Sequence, residues 1–278
     1  MKLLITGSSS GMGRWLATQY CEAGHELWGV ARRDQADFAA ERKALGQKFR
    51  STRADVSRWE MMEALSAELA RDWGHLDGLI CCAGVQGPLG PAMKLAAAGF
   101  SESLHVNLHG TFNTLLALHE PLLRSTRRAK VVCFSGGGST GPRPFFTPYA
   151  VAKAAVVRMV ENLAHEWKGL PIDINALAPG AVNTRMTEEV IEAGPEIVGP
   201  SEYGKALEQK ANGGTPLPKV GAVIDFLLSP ESDGISGRLI SGLWDPYHSL
   251  PQVREQLEKS DVYTLRRVVP QDRGLDWK

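Results

Sequence analysis

The chain has 278 residues, 31 Lys plus Arg balanced by 31 Asp plus Glu, and 43% hydrophobic content. That balance, without blocks of one charge, argues against a polyelectrolyte tail and gives no reason to expect a nucleic-acid partner. No apolar run reaches the roughly 18 residues of a membrane helix, and the length suffices for a sizeable core in one α/β domain.

Met1-Lys2 leads directly into Leu3-Leu4-Ile5, so residues 2–6 read as a buried strand and no signal peptide is expected. The glycine turn Gly7-Ser8-Ser9-Ser10-Gly11-Met12-Gly13 follows, then a helix through Trp15, Leu16 and Tyr20 that stops at Gly24. A second strand covers 26–31, a helix 35–45, and a short strand ends at Ala54-Asp55. Ser57 with Glu60 predicts a capping box for the next helix, whose apolar residues Met62, Leu65, Leu69 and Trp73 keep helical spacing. Leu79-Ile80-Cys81-Cys82-Ala83-Gly84 is a strand ending in a turn. One long helix is expected through Leu104, Leu108, Phe112 and Leu116, with Asn107 in its middle. A strand at 130–134, a helix at 149–167 and a strand at 172–178 continue the alternation. Strands that are apolar throughout, alternating with helices, predict a Rossmann-like doubly wound parallel sheet with helices on both faces, in a single domain.

Residues 187–220 break the pattern with Gly194, Pro195, Gly199, Pro200, Gly213 and Gly214, around a short helix at 203–211. A helix at 222–228 and a strand near 238–241 restore it. The expected organisation is a 1–242 domain carrying a lid at about 187–220, and a 243–278 extension without a clear period, whose aromatic residues Trp244, Tyr247, Tyr263 and Trp277 are expected to lie over the substrate side of their own subunit or to reach a neighbour. The four cysteines (Cys21, Cys81, Cys82, Cys133) lie in apolar segments and lack metal-ligand spacing, as expected of buried thiols in a reducing cytoplasm; no metal is expected.

Three features carry chemistry. Tyr149 and Lys153 stand four apart on a helix, one turn apart on one face, where an ammonium favours phenolate. A phenol so tuned exchanges a proton with a carbonyl or alcohol oxygen. The strand, the turn Gly7…Gly11…Gly13 and the helix make a pyrophosphate site, although the spacing differs from G-x-G-x-x-G. At the end of the second strand an acid would hold the ribose of NAD, whereas Arg pairs with a 2′-phosphate. Ala31-Arg32-Arg33 precedes the first carboxylate, Asp34, so NADP(H) is favoured over NAD(H), with Arg32 ahead of Arg33.

Together these residues resemble the short-chain dehydrogenase/reductase family, in its single-domain branch, over about residues 1–242. Thr6-Gly7-Ser8-Ser9-Ser10-Gly11-Met12-Gly13 looks like its coenzyme motif and Asp55-Val56 like its adenine-contacting pair. Cys82-Ala83-Gly84 stands where Asn-Ala-Gly is usual, and Asn107, Tyr149 and Lys153 match the catalytic Asn, Tyr and Lys. Ala178-Pro179-Gly180-Ala181-Val182-Asn183-Thr184 resembles the segment that holds the nicotinamide, with Thr184 meeting the carboxamide.

The resemblance implies that Tyr149 is the acid/base and that Lys153 binds ribose and lowers the phenol's pKa. It further implies that Asn107 holds a relay water and that a Ser orients the substrate. The usual Ser position, thirteen before the Tyr, is Gly136 here; Ser135 is the expected substitute and Ser139 the reserve, the glycine run Gly136-Gly137-Gly138 absorbing the offset. Phe145 and Phe146 suit an apolar wall or packing on the sheet, and Arg143 and Arg185 suit an anionic group or solvent. The leading expectation is a cytoplasmic NADP(H)-dependent carbonyl reductase or alcohol dehydrogenase acting on a small molecule, as a homodimer or homotetramer. Alternatives are a coenzyme-binding regulatory protein without turnover, or a sugar-nucleotide epimerase or dehydratase, which generally carries a differently spaced glycine motif and a longer C-terminal domain.

Overall fold

The computed structural model describes residues 1–277. Its strands are β1 (Lys2–Thr6), β2 (Glu26–Ala31), β3 (Phe49–Arg53), β4 (Gly78–Cys81), β5 (Ala129–Phe134), β6 (Ile172–Ala178) and β7 (Leu239–Ser241). They form one parallel sheet in the order β3-β2-β1-β4-β5-β6-β7, with Leu4 opposite both Trp28 and Leu79. Parallel neighbours require crossovers, and helices supply them. The helices are α1 (Gly11–Glu22), α2 (Ala36–Ala44), α3 (Trp59–Asp72), α4 (Ala97–Leu104), α5 (Gly110–Leu123) and α6 (Thr147–Glu166). They continue with α7 (Arg185–Ala193), α8 (Pro195–Val198), α9 (Pro200–Asn212), α10 (Leu217–Leu228) and α11 (Arg254–Glu258).

Strand alternation divides the core in two. Leu3 and Ile5 pack with Leu16 of α1 and Val223 of α10, whereas Leu4 packs with Leu65 of α3, Leu118 of α5 and Val156 of α6. All eight are almost fully buried, each side chain worth about 1.5–3 kcal/mol relative to exposure. The strand order reverses between β1 and β4, and the crevice at their carboxyl ends is where such sheets bind ligands.

Two expectations are corrected. Ser57 does not cap α3: its amide and hydroxyl both hydrogen-bond Asp55 Oδ1, and α3 begins at Trp59 after an uncapped Arg58. Asp55 outcompetes the helix because an Asx turn offers Ser57 a partner two residues away. The long helix around Asn107 is divided by a π-helical turn at His105–His109, a feature frequent at functional sites.

The extension is ordered against the domain. Leu250 and Leu257 are buried in the α1/α10 core, and the Arg238 guanidinium donates to the carbonyls of Leu257, Ser260 and Val262. Leu239 N–H donates to Tyr263 O at 2.8 Å, and Leu265 N–H donates to Glu161 at 2.6 Å. Between these parts, α7–α9 build a small core of Val190, Val198 and Ala206 on the fully buried Phe146.

Candidate active site

The glycine turn after β1 is shaped by close backbone approach. Gly7 has φ +75°, and a Cβ there would lie 2.9 Å from the Ala83 backbone; one at Gly13 would run into the Gly7 carbonyl. Gly7 N–H donates to Val30 O at 2.8 Å, and Ala83 N–H donates to Thr6 Oγ1 at 3.2 Å, so the loops after β1 and β4 are fastened together. Ser9 is half-buried in the turn and Ser10 is exposed. Ser10 makes no side-chain cap, and the first turn of α1 has no acidic residue, which leaves its amides open to an anion.

Thr184 precedes α7, its methyl 3.7 Å from where a Gly11 Cβ would be, bringing the segment after β6 to the phosphate turn. Within that segment Val182 bridges to Gly214, and Gly180 lies close against Thr215. At the end of β2, Arg32 reaches Asp55 at 4.0 Å with over half its side chain exposed, while Arg33 reaches the Ser10 hydroxyl at 3.5 Å. Val56 is buried under Gly110. The cradle and the open helix end fit the pyrophosphate of a dinucleotide.

Tyr149 and Lys153 lie on one face of α6, the ammonium 5.7 Å from the phenol ring centre. Lys153 donates to Phe134 O at 2.9 Å, and burial pulls its pKa down to about 8. Burial also pushes the Tyr149 phenol up to about 12, outweighing the nearby Arg143 charge that opposes it. Asn107 is fully buried in the π-turn. Its side chain accepts from Val85 N–H at 3.1 Å and donates to the carbonyls of Val85 and Ser103, each at 2.9 Å. A Cβ at Gly84 would lie 2.8 Å from Asn107 Oδ1 and 3.6 Å from Lys153 Nζ, so the three meet behind the loop. Cys82 is half-buried beside the Gly13 amide, and burial raises its thiol to about 12.

A cavity of about 670 Å³ joins these parts. Met12 and Thr184 line it on the coenzyme side, and Tyr149, Ser139, Arg143 and Gln86 on the other. The predicted hydroxyl is not brought there: Ser135 extends β5 with an amide bond to Leu177 O at 2.8 Å, and its buried Oγ has no partner. Ser135 is absent from the cavity lining, where Ser139 is present. At Gly136 a Cβ would overlap the Tyr149 hydroxyl, so the phenol occupies the room a side chain there would need.

Sequence reasoning missed Gln86, buried with an unpartnered Nε2; a polar residue two places beyond the Gly84 turn is the signal it left. It also missed Glu202 and the tail residues Asp245 and Thr264, which line the cavity with Trp244 and Tyr263. Arg185 is exposed and pairs with Glu189 and Glu192.

A family model described as short chain dehydrogenase matches residues 2–194. Levodione reductase of Leifsonia aquatica is 30% identical over 251 residues, 86% of this chain and 91% of the relative. L-fucose dehydrogenase of Oryctolagus cuniculus is 29% identical over 230 residues, 83% of this chain and 79% of the relative. A crystal structure of levodione reductase superposes with a TM-score of 0.76 at 27% identity, covering 86% of this chain and 95% of the other.

Proposed function

Because this chain belongs to the short-chain dehydrogenase/reductase family, we propose that the cavity interconverts a carbonyl and a secondary alcohol with NADP(H), using Tyr149 as acid and base. The protein is an NAD(P)-dependent oxidoreductase of alcohol and carbonyl groups. The observation that carries the proposal is that Met12 of the phosphate turn and the Tyr149 phenol line one cavity.

When bound, the coenzyme supplies or accepts the hydride. Gly7, Ser9, Ser10, Gly11 and Met12 hold its phosphates, Asp55, Val56, Ala83 and Gly84 the adenosine side, and Pro179, Gly180, Val182 and Thr184 the nicotinamide side. Lys153, held by Phe134 O, serves the ribose. Tyr149 gives its proton to the carbonyl oxygen in reduction and removes the alcohol proton in oxidation. Asn107 holds the loop after β4 against Lys153 and supports proton exchange behind the phenol. Ser139, in the cavity wall, hydrogen-bonds the reacting oxygen in place of the side chain Gly136 lacks.

Preference for NADP(H) rests on Arg32 and Arg33 at the end of β2, where Ala31 offers no carboxylate to a ribose hydroxyl and Asp55 is already beside Arg32. The test is consumption of NADPH with a panel of cyclic diketones (levodione among them), keto-sugars and 3-oxoacyl thioesters, with L-fucose and NADP⁺ for the reverse direction. Turnover of at least one carbonyl is expected. A protein that binds neither NADPH nor NADH would sink the reading.

A further inference from the structure

We infer that Arg143 is a positioning residue for the proton chemistry of Tyr149: its guanidinium faces the phenol across the glycine run, and Glu202 on α9 governs how much of that charge is felt. The inference rests on Tyr149 being the acid/base.

The geometry begins with Gly136-Gly137-Gly138. The α-carbon of Gly136 lies against the Tyr149 hydroxyl. A Cβ on Gly137 would be 3.3 Å from Arg143 Nη1, and one on Gly138 would be 3.2 Å from Arg143 Cβ. Phenol and guanidinium therefore rest on adjacent α-carbons, about 3.8 Å apart. A side chain at 136 would have to displace the phenol, and one at 137 would press on the guanidinium.

Arg143 is braced on both sides. Its guanidinium carbon sits 3.7 Å from the Phe146 ring centre, and its Nε donates to Glu202 Oε2 at 2.9 Å. The side chains of Arg143 and Glu202 are only 26% and 18% exposed, so their fields are screened less than those of surface charges. The loop presenting Arg143 is strained: Phe145 has φ +70°, held by Gly90 N–H donating to Phe145 O at 2.9 Å. Such a conformation persists only where its surroundings enforce it. Glu202 is shared, its Oε1 accepting from Lys205 at 2.9 Å, which leaves two cations to one carboxylate in the cavity wall.

The charged and titratable groups around Tyr149 are few. Lys153 comes from its own helix, Cys82 from the loop after β4, Arg143 from the loop after β5, and Glu202 and Lys205 from α9; the tail brings Asp245 and Tyr263 to the same cavity. Lys153 loses its proton near pH 8, below the range in which the buried phenol ionises. A guanidinium keeps its charge there. Arg143 is thus the cation against the glycine run whose charge is independent of pH where phenolate forms.

Two readouts test this in the parent, Arg143→Gln, Arg143→Lys, Glu202→Gln and Tyr149→Phe proteins. One is the pH profile of kcat for alcohol oxidation. The other is the ring-carbon NMR titration of labelled tyrosine in the coenzyme-free protein, with Tyr149→Phe as the blank. Arg143→Gln should move phenol ionisation upward, on the order of one pH unit, and Arg143→Lys by less. Glu202→Gln should move it downward, since it removes the opposing charge and leaves Arg143.

A merely structural ion pair predicts that both neutral variants act alike, because each breaks the same contact. Shifts of the same sign, or none, overturn the inference. If Arg143→Gln fails to fold, the sign of the Glu202→Gln shift decides. Turnover retained in Tyr149→Phe would refute the acid/base reading itself and the inference with it, whereas an inactive Phe variant with unshifted neutral variants refutes only the role of Arg143.

Discussion

The Lys153 ammonium is almost wholly buried and has a backbone carbonyl, Phe134 O, as its hydrogen-bond partner, without a carboxylate to balance it. Its folded pKa, about 8, lies below the ordinary 10.5. Holding the proton therefore costs folding energy at every pH below 8, and the cost fades between pH 8 and 10.5 as the unfolded chain loses its proton too. Lys153→Met should accordingly stabilise the coenzyme-free protein by roughly 1–2 kcal/mol at neutral pH while abolishing turnover. Denaturant melts at pH 7 and near pH 10 check both the gain and its disappearance.

The serines separate cleanly. Ser139→Ala should slow turnover on the order of 10²-fold, the scale of one lost oxyanion donor, and Ser135→Ala should leave kcat nearly unchanged because its hydroxyl has no partner. The reverse ranking would restore Ser135. For the coenzyme, Arg32→Ala should remove about 1.5–3 kcal/mol of NADPH binding, roughly tenfold to hundredfold in affinity, and spare NADH. A loss confined to Arg33→Ala would transfer the contact to the arginine beside Ser10. Tyr149, Lys153 and the two arginines stand out in the sequence because their spacing or strand-end position carries chemical meaning. The placement of the Ser135 hydroxyl outside the cavity lining was not legible, because the ladder hydrogen bond to Leu177 O that continues β5 there leaves no trace in composition.

Among the elements, strands and amphipathic helices announce themselves through periods of 2 and 3.6, and β1, β2, β5 and α6 fall where the apolar pattern puts them. The π-turn at Asn107 was invisible, since one extra residue in a turn hardly disturbs that period. What fastens the tail was invisible for another reason: Arg238 grips three backbone carbonyls, and a carbonyl is the same at every residue. Arg238→Gln should therefore release residues beyond 254, with a loss on the order of 3 kcal/mol from hydrogen bonds to a charged group. Faster protease cleavage in that segment, with cleavage elsewhere unchanged, is the expected result. An unaltered digestion pattern would mean that Leu250 and Leu257 hold the tail unaided.

At the scale of the molecule, the sheet order places the ends of β1 and β4 at the reversal, and the segments after β5 and β6 close the cavity beside them. That plan followed from alternating strands and helices, together with one glycine turn after the first strand. The cavity's far wall followed only in part: the tail aromatics Trp244 and Tyr263 line it, whereas Glu202 and Asp245 reach it from segments distant in the chain and without a shared pattern. Among the described residues no helix is long and apolar enough to cross a membrane, and no cluster of metal-ligating side chains occurs. Proton transfer rests on one phenol. The most direct measurement is therefore NADPH-dependent turnover of a carbonyl substrate by the parent and by Tyr149→Phe, with NADPH affinity titrated in both. The account predicts that the Phe variant binds NADPH within about twofold of the parent and loses at least about 10²-fold in kcat, the lower end for a positioned proton donor. Undiminished turnover with equal coenzyme binding would contradict it.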